Sequence, residues 1–173
     1  MILSASPWIK RFADNVPKDL PILDLACGSG RHGRLFLRMG FPVVLVDRDT
    51  DKVQDLTGHP QIEIITADLE NNSPWPLPDR SFSAIIVTNY LHRPLFPVLL
   101  PCLAPSGMLL YETFAAGNEQ YGRPRNPDHL LQRGELLRLA LGAGLDIIAY
   151  EDILEQRDSE LRCIQRICAR RPA

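Results

Sequence analysis

The feature that most constrains this chain is an alternation. Short apolar runs of strand length are separated by longer stretches whose apolar residues recur at helical spacing. This signals parallel β-α-β units and argues against an all-helical bundle or a β-sandwich. Residues 21–26 (PILDLA) predict a first strand, followed by a glycine turn and a helix over 31–39, where Leu35 and Met39 lie four apart. Residues 41–47 (FPVVLVD) predict a second strand, and Asp49 or Thr50 can cap a short helix ending before Gly58. A third strand over 61–67 leads into NNSPWPLPDRS, where three prolines exclude a regular element. The fourth strand spans 82–88. A helix from about 94 to 103, interrupted by Pro97 and Pro101, precedes a turn at 104–107 and a fifth strand over 108–114. The stretch 117–127 (GNEQYGRPRNP) reads as a surface loop long enough to act as a lid. A helix over 134–143 and two strands, 146–153 and 160–169, end the chain as a hairpin. The expected architecture is one open α/β sheet with helices on both faces.

The 173 residues, 45% of them hydrophobic, are enough for one well-buried domain and too few for two, so a single domain over 1–173 is expected. A net charge of −2 provides no general attraction for a polyanion, and nucleic acid is not an expected partner. No apolar run approaches the roughly 20 residues of a membrane-spanning helix. The start, MILSASPWIKRF, has no basic segment ahead of an apolar core, so a cytoplasmic protein is expected rather than an exported one. Cys27, Cys102, Cys163 and Cys168 form no C-x-x-C pair and have no histidines at zinc-ligand spacing, which predicts reduced thiols and no metal.

In an open α/β sheet, ligands bind outside the carboxyl ends of the parallel strands, where the strand order reverses. That rule selects 24–30, Asp47, Asp68 with Leu69, 89–92, and Glu112 with Thr113. Gly28-x-Gly30-x-x-Gly33 lies between a strand and a helix, so bare backbone can approach a ligand at a helix N-terminus. A plain structural turn recruits the same glycines. Asp47, about 20 residues further on, adds a carboxylate able to accept from both ribose hydroxyls, which favours a nucleoside-containing cofactor. Two classes then compete, a dinucleotide with its pyrophosphate and S-adenosylmethionine with its sulfonium. Asp24 would repel a pyrophosphate and can help hold an ammonium. Asp68 offers an acceptor to an adenine amine beside apolar Ala67 and Leu69. Arg48 is the one feature a 2′-phosphate would welcome.

Taken together, LDLACGSGRHG, VVLVDRD, ITADLEN, FSAIIVTNYLH and LAPSGMLLYETF stand in the order seen in class I S-adenosylmethionine-dependent methyltransferases, and the chain resembles that family over most of its length. The resemblance implies a Rossmann-like sheet of about seven strands, mostly parallel with an antiparallel last strand. It also implies Ala26, Gly28 and Gly30 along the methionyl part of the cofactor, Asp47 on the ribose, Asp68 and Leu69 at the adenine, and Asn89 near the sulfonium. Within the superfamily the sequence is similar to small bacterial proteins described as tellurite-resistance-type or unspecified methyltransferases. Asn89-Tyr90-Leu91-His92 departs from the N/D-P-P-Y/F motif of many enzymes that methylate base or glutamine amino groups.

For the chemistry, His92 is the candidate base, since imidazole titrates near neutrality; its structural alternative is to cap the helix that follows. Tyr90 can face the sulfonium or simply pack. Glu112 and Thr113 point to opposite faces of a regular strand, and Glu112 is the more suggestive because a buried carboxylate needs a partner. Tyr121, Arg123 and Arg125 can close over an anionic substrate or form a solvated loop. Arg31, His32 and Arg34 read as exposed, and His59 and His129 as uninvolved. The leading expectation is an enzyme transferring a methyl group from S-adenosylmethionine to a small molecule. An NAD(P)-binding oxidoreductase and a non-catalytic cofactor-binding module that serves a protein partner are the alternatives.

Overall fold

The computed structural model describes residues 4–157 and 159–173; the first three residues of the segment assessed for an export signal lie outside it. Seven strands form one sheet in the order β3-β2-β1-β4-β5-β7-β6: β1 (Ile22–Leu25), β2 (Val43–Asp47), β3 (Ile62–Thr66), β4 (Phe82–Thr88), β5 (Leu103–Phe114), β6 (Asp146–Arg157) and β7 (Glu160–Arg170). The first five pair in parallel, and β7 runs antiparallel between β5 and β6. This is the expected Rossmann-like sheet.

Alternation along each strand sends side chains to two separate cores. One face buries Ile22, Val43, Leu45, Ala84 and Ile86 against Trp8, Ile9 and Phe12 of α1 (Pro7–Ala13) and Phe36 of α2 (Arg31–Arg38). Phe36 meets Phe41 edge to face with centroids 5.4 Å apart, a geometry that adds about 0.5–1.5 kcal/mol beyond area burial. The other face buries Leu23, Val44, Ile85 and Leu109 under Phe96 and Leu99 of α3 (Phe96–Leu99) and Leu136 and Ala140 of α4 (Glu135–Gly142).

Four elements depart from the expectation. Helix α1 was not anticipated, although Ser6 and Pro7 carry its start: the Ser6 hydroxyl accepts from the Trp8 amide, and Pro7 occupies a first-turn position where no N–H is needed. The segment after β2 is a 3-10 helix, Asp51–Leu56, and Thr50 spends its hydroxyl on Thr66, 2.7 Å away, rather than on a cap. The proline-interrupted helix divides into 3-10 pieces, Arg93–Leu95 and Leu100–Cys102, flanking a single turn of α3. Residues 104–107 are a bulged part of β5 rather than a turn before it. A side chain at Gly107 would lie 2.9 Å from the Phe82 carbonyl, so only glycine lets the strands stay together there.

Candidate functional site

Strand order reverses between β1 and β4, and a cavity of about 470 Å³ opens at the carboxyl ends of the strands there. Each parallel strand contributes to its wall: Ala26 beyond β1, Asp47 and Arg48 at β2, residues 67–70 beyond β3, residues 89–91 beyond β4, and Thr113 and Phe114 at the end of β5. Pro124 and His129 complete it from the long loop. Of the sequence-selected residues, Ala26, Asp47, Arg48, Asp68, Leu69, Asn89 and Tyr90 therefore share one hollow.

The glycine turn borders this hollow. Asp47 accepts from the Gly28 amide at 2.7 Å through one oxygen and from the Asp49 amide at 3.0 Å through the other. Gly28 has φ +55°, and a Cβ built there meets nothing within 4 Å, so the turn leaves open space beside bare backbone. Gly33 has the opposite reason to be glycine: a Cβ would sit 2.4 Å from Leu45, where α2 lies on β2. Gly30 begins α2 and does not line the cavity. Ala26 and Asn89 leave their strands with φ of 51° and 54°, a left-handed conformation uncommon for residues with side chains, and both do so at the cavity wall.

Asp24 stands elsewhere. Its side chain points to the α1/α2 face, is 1% exposed, and accepts from the Gly33 amide at 2.8 Å, so it fastens the turn and does not line the cavity. Burial pushes its pKa up to about 7. His32, expected on the surface, is 1% exposed: its Nε2 accepts from the Ser6 amide, and burial pushes its pKa down to about 3. The two side chains approach to 4.0 Å, but with His32 uncharged near neutral pH this is not an ion pair. Ser6 also donates to Glu112 at 2.9 Å, and Arg166, stacked over Trp8, reaches the other Glu112 oxygen at 3.5 Å. Glu112 thus has its partners behind the sheet, and of this pair it is Thr113 that lines the cavity.

Tyr90 has a buried hydroxyl with no hydrogen-bond partner among the described residues. Its pKa is raised by burial first and by Glu70, Asp68 and Asp47 after that. His92 lies on the wall of a second hollow, also about 470 Å³, together with Trp75 and Leu95; residues 67–69 divide the two. Tyr121, Arg123 and Arg125 are exposed and line neither hollow, whereas Pro124 between the two arginines lines the first. The cysteines are free thiols, with Cys27, Cys102 and Cys168 buried and Cys163 half-buried. Thr113, selected with Glu112 by the strand-end rule, does line the cavity, whereas Glu70, Phe114, Pro124 and His129 were not selected from the sequence as cavity residues. Glu70 follows Asp68 by two positions and was within reach of the strand-end rule; the loop residues have no periodicity that could place them.

Residues 22–105, which run from β1 into β5, match the family described as the methyltransferase domain. Three solved structures extend the likeness to the whole fold. An S-adenosylmethionine-dependent methyltransferase from Mesorhizobium loti is 19% identical over 94% of this chain and 96% of its own, with a TM-score of 0.72. TehB from Haemophilus influenzae is 15% identical over 95% of this chain and 61% of its own, with a TM-score of 0.73. The 1,6-didemethyltoxoflavin-N1-methyltransferase of Burkholderia thailandensis, solved with 1,6-didemethyltoxoflavin and S-adenosylhomocysteine, is 15% identical over 96% of this chain and 77% of its own, with a TM-score of 0.68. At these identities the likeness establishes the shared fold. No curated protein matches the chain. Among the described residues, no helix is long and apolar enough to cross a membrane.

Proposed function

We propose that this protein transfers a methyl group from S-adenosylmethionine to a small-molecule acceptor, working in the cytoplasm as one domain over residues 1–173. The observation that carries this reading is the single cavity in which residues from four successive strand ends, Ala26, Asp47, Asp68, Leu69 and Asn89, meet beside the methyltransferase domain's glycine turn. Its lining includes Asp47, Asp68 and Glu70, with Arg48 as the one lysine or arginine among the described lining residues. That balance suits a cation and opposes a pyrophosphate, which sets the dinucleotide alternative behind.

In this reading Asp47 accepts from the ribose hydroxyls with the lone pairs left over from Gly28 and Asp49, Asp68 accepts from the adenine amine, and Leu69 packs on the base. Ala26 and Gly28 leave room for the methionyl part, Asn89 stands near the sulfur, and Tyr90 presents its ring and free hydroxyl to the reacting end. Asp24 and Gly30 act through the turn they hold, and Arg48 borders the ribose from the surface. When bound, S-adenosylmethionine supplies a methyl group activated by positive sulfur. The chain's contribution is alignment, an effect that can reach about 7–11 kcal/mol in favourable cases.

Calorimetric titration with S-adenosylmethionine, S-adenosylhomocysteine, NADH and NADPH tests the reading. One site for the first two is expected and none for the last two; no heat from S-adenosylhomocysteine up to millimolar concentration contradicts it. Binding without S-adenosylhomocysteine formation across a broad acceptor panel would instead indicate a non-catalytic module.

A further inference from the structure

Arg93 does unusual service at the rim of the cavity. Its guanidinium grips Glu135 through two nitrogens, at 2.7 and 2.9 Å, and also donates to the carbonyls of Asp128 and Leu130, at 2.8 and 2.9 Å. Those two carbonyls flank His129. The segment is fixed again on either side: the His129 amide donates to Asn126 at 3.0 Å, and the Leu131 amide donates to Phe114, which puts Leu131 in a bridge with Ala115 beyond β5. A loop held at this many points is a firm mount, and His129 is the residue of this clamped segment that lines the cavity. The same cavity is lined by Tyr90, with its unpartnered hydroxyl, and by Thr113 at the end of β5. His92, the sequence-selected base, belongs to the other hollow.

We propose that His129 is the catalytic residue that accepts the proton of the acceptor, and that the acceptor is a small neutral nucleophile carrying an O–H or N–H group. The inference rests on the methyltransferase reading above. In the reaction the acceptor heteroatom forms a bond to the methyl carbon, the methyl–sulfur bond breaks with its electron pair staying on sulfur, and the acceptor's proton passes to an imidazole nitrogen of His129. His129 is exposed on its outer side, so the proton then leaves to water. Besides Tyr90, the titratable and charged groups that share this cavity are Asp47, Arg48, Asp68 and Glu70, while Asp128, Arg93 and Glu135 lie in or against the loop.

The test uses two probes of similar size: phenol, which stays protonated at mildly alkaline pH, and thiophenol, which ionises there unaided. Wild-type protein and H129A are titrated with S-adenosylhomocysteine and then assayed for its formation from S-adenosylmethionine with each probe. The expected result is S-adenosylhomocysteine affinity within about twofold of wild type, loss of phenol methylation by about a hundredfold, in the range for removal of a general base, and near-normal thiophenol methylation. Added imidazole should restore the phenol reaction of H129A. Equal loss on both probes, or no loss on phenol, overturns the proposal while leaving the methyltransferase reading intact. So does weakened S-adenosylhomocysteine binding in H129A, which makes His129 a cofactor residue. If the wild-type protein binds S-adenosylhomocysteine but methylates neither probe, the proposed acceptor class is wrong; if it binds none, the parent reading fails first.

Discussion

Asp24, inside β1, and Asp47, at the end of the neighbouring β2, flank the same glycine turn, yet they occupy opposite electrostatic worlds. Asp24 is sealed behind the turn, with the Gly33 amide as its hydrogen-bond donor and His32 near it but uncharged. Asp47 looks into the cavity, and although it holds the Gly28 and Asp49 amides, its oxygens keep lone pairs for a ligand. The same division separates Glu112, bound to Ser6 and Arg166 behind the sheet, from Thr113 in front of it. Parity separates Glu112 from Thr113, whereas Asp24 and Asp47 share one sheet face and differ in how far along their strands they stand: Asp24 lies inside β1 against the start of α2, and Asp47 is the last residue of β2, at the cavity.

The largest effects should come from the sealed side. The folded-state pKa of Asp24, about 7, lies above its ordinary 3.8, so its stabilising contribution is complete below pH 3.8 and is lost as pH rises from there to about 7. Asp24→Asn keeps an acceptor for Gly33 and removes that loss. It should be more stable than wild type at pH 8 by up to about 4 kcal/mol, the difference shrinking towards pH 4, as read by urea unfolding across that range. His32 gives the opposite limb. Its pKa falls from 6.5 to about 3, so stability present above pH 6.5 is lost as pH falls towards 3. His32→Gln should flatten that acid-side loss, by up to about 5 kcal/mol. If both variants follow the wild-type pH profile, the pair is not sealed as described.

Gly33→Ala pushes a methyl into Leu45 and should lower stability by about 3 kcal/mol, visible as a reduced thermal midpoint. On the open side the readout changes from stability to binding. Asp47→Ala should weaken S-adenosylhomocysteine by about 1–3 kcal/mol, or roughly fivefold to 150-fold, in calorimetry; unchanged affinity would mean the ribose is held elsewhere. Arg48→Ala, at an exposed position, should change that affinity by less than about 1 kcal/mol.

How far this division was legible in the sequence depends on periodicity. Strand alternation and the glycine turn gave the sheet, including β4 at its observed bounds, Phe82–Thr88, and they gathered the strand-end residues that meet in the cavity. Asp24 was misplaced for a specific reason: its carboxylate character suggested a ligand, while its position in the strand, two residues from Ile22 of the α1/α2 core, already aimed it at α2. His32 and the α1 helix were missed together because each buries against the other, a contact no local pattern contains. His129 is carried to the cavity by the Arg93 clamp and the pairing beyond β5, which join residues far apart in the chain, and Pro124 is held by Asn118 within a loop that has no periodicity.

A crystal structure with S-adenosylhomocysteine tests the central claim most directly. The account predicts the ribose within hydrogen-bonding distance of Asp47, the adenine beside Asp68 and Leu69, and Asp24 untouched by the ligand. A nucleoside seated instead in the hollow beside Trp75 and His92, with Asp47 bonded only to Gly28 and Asp49, would contradict it.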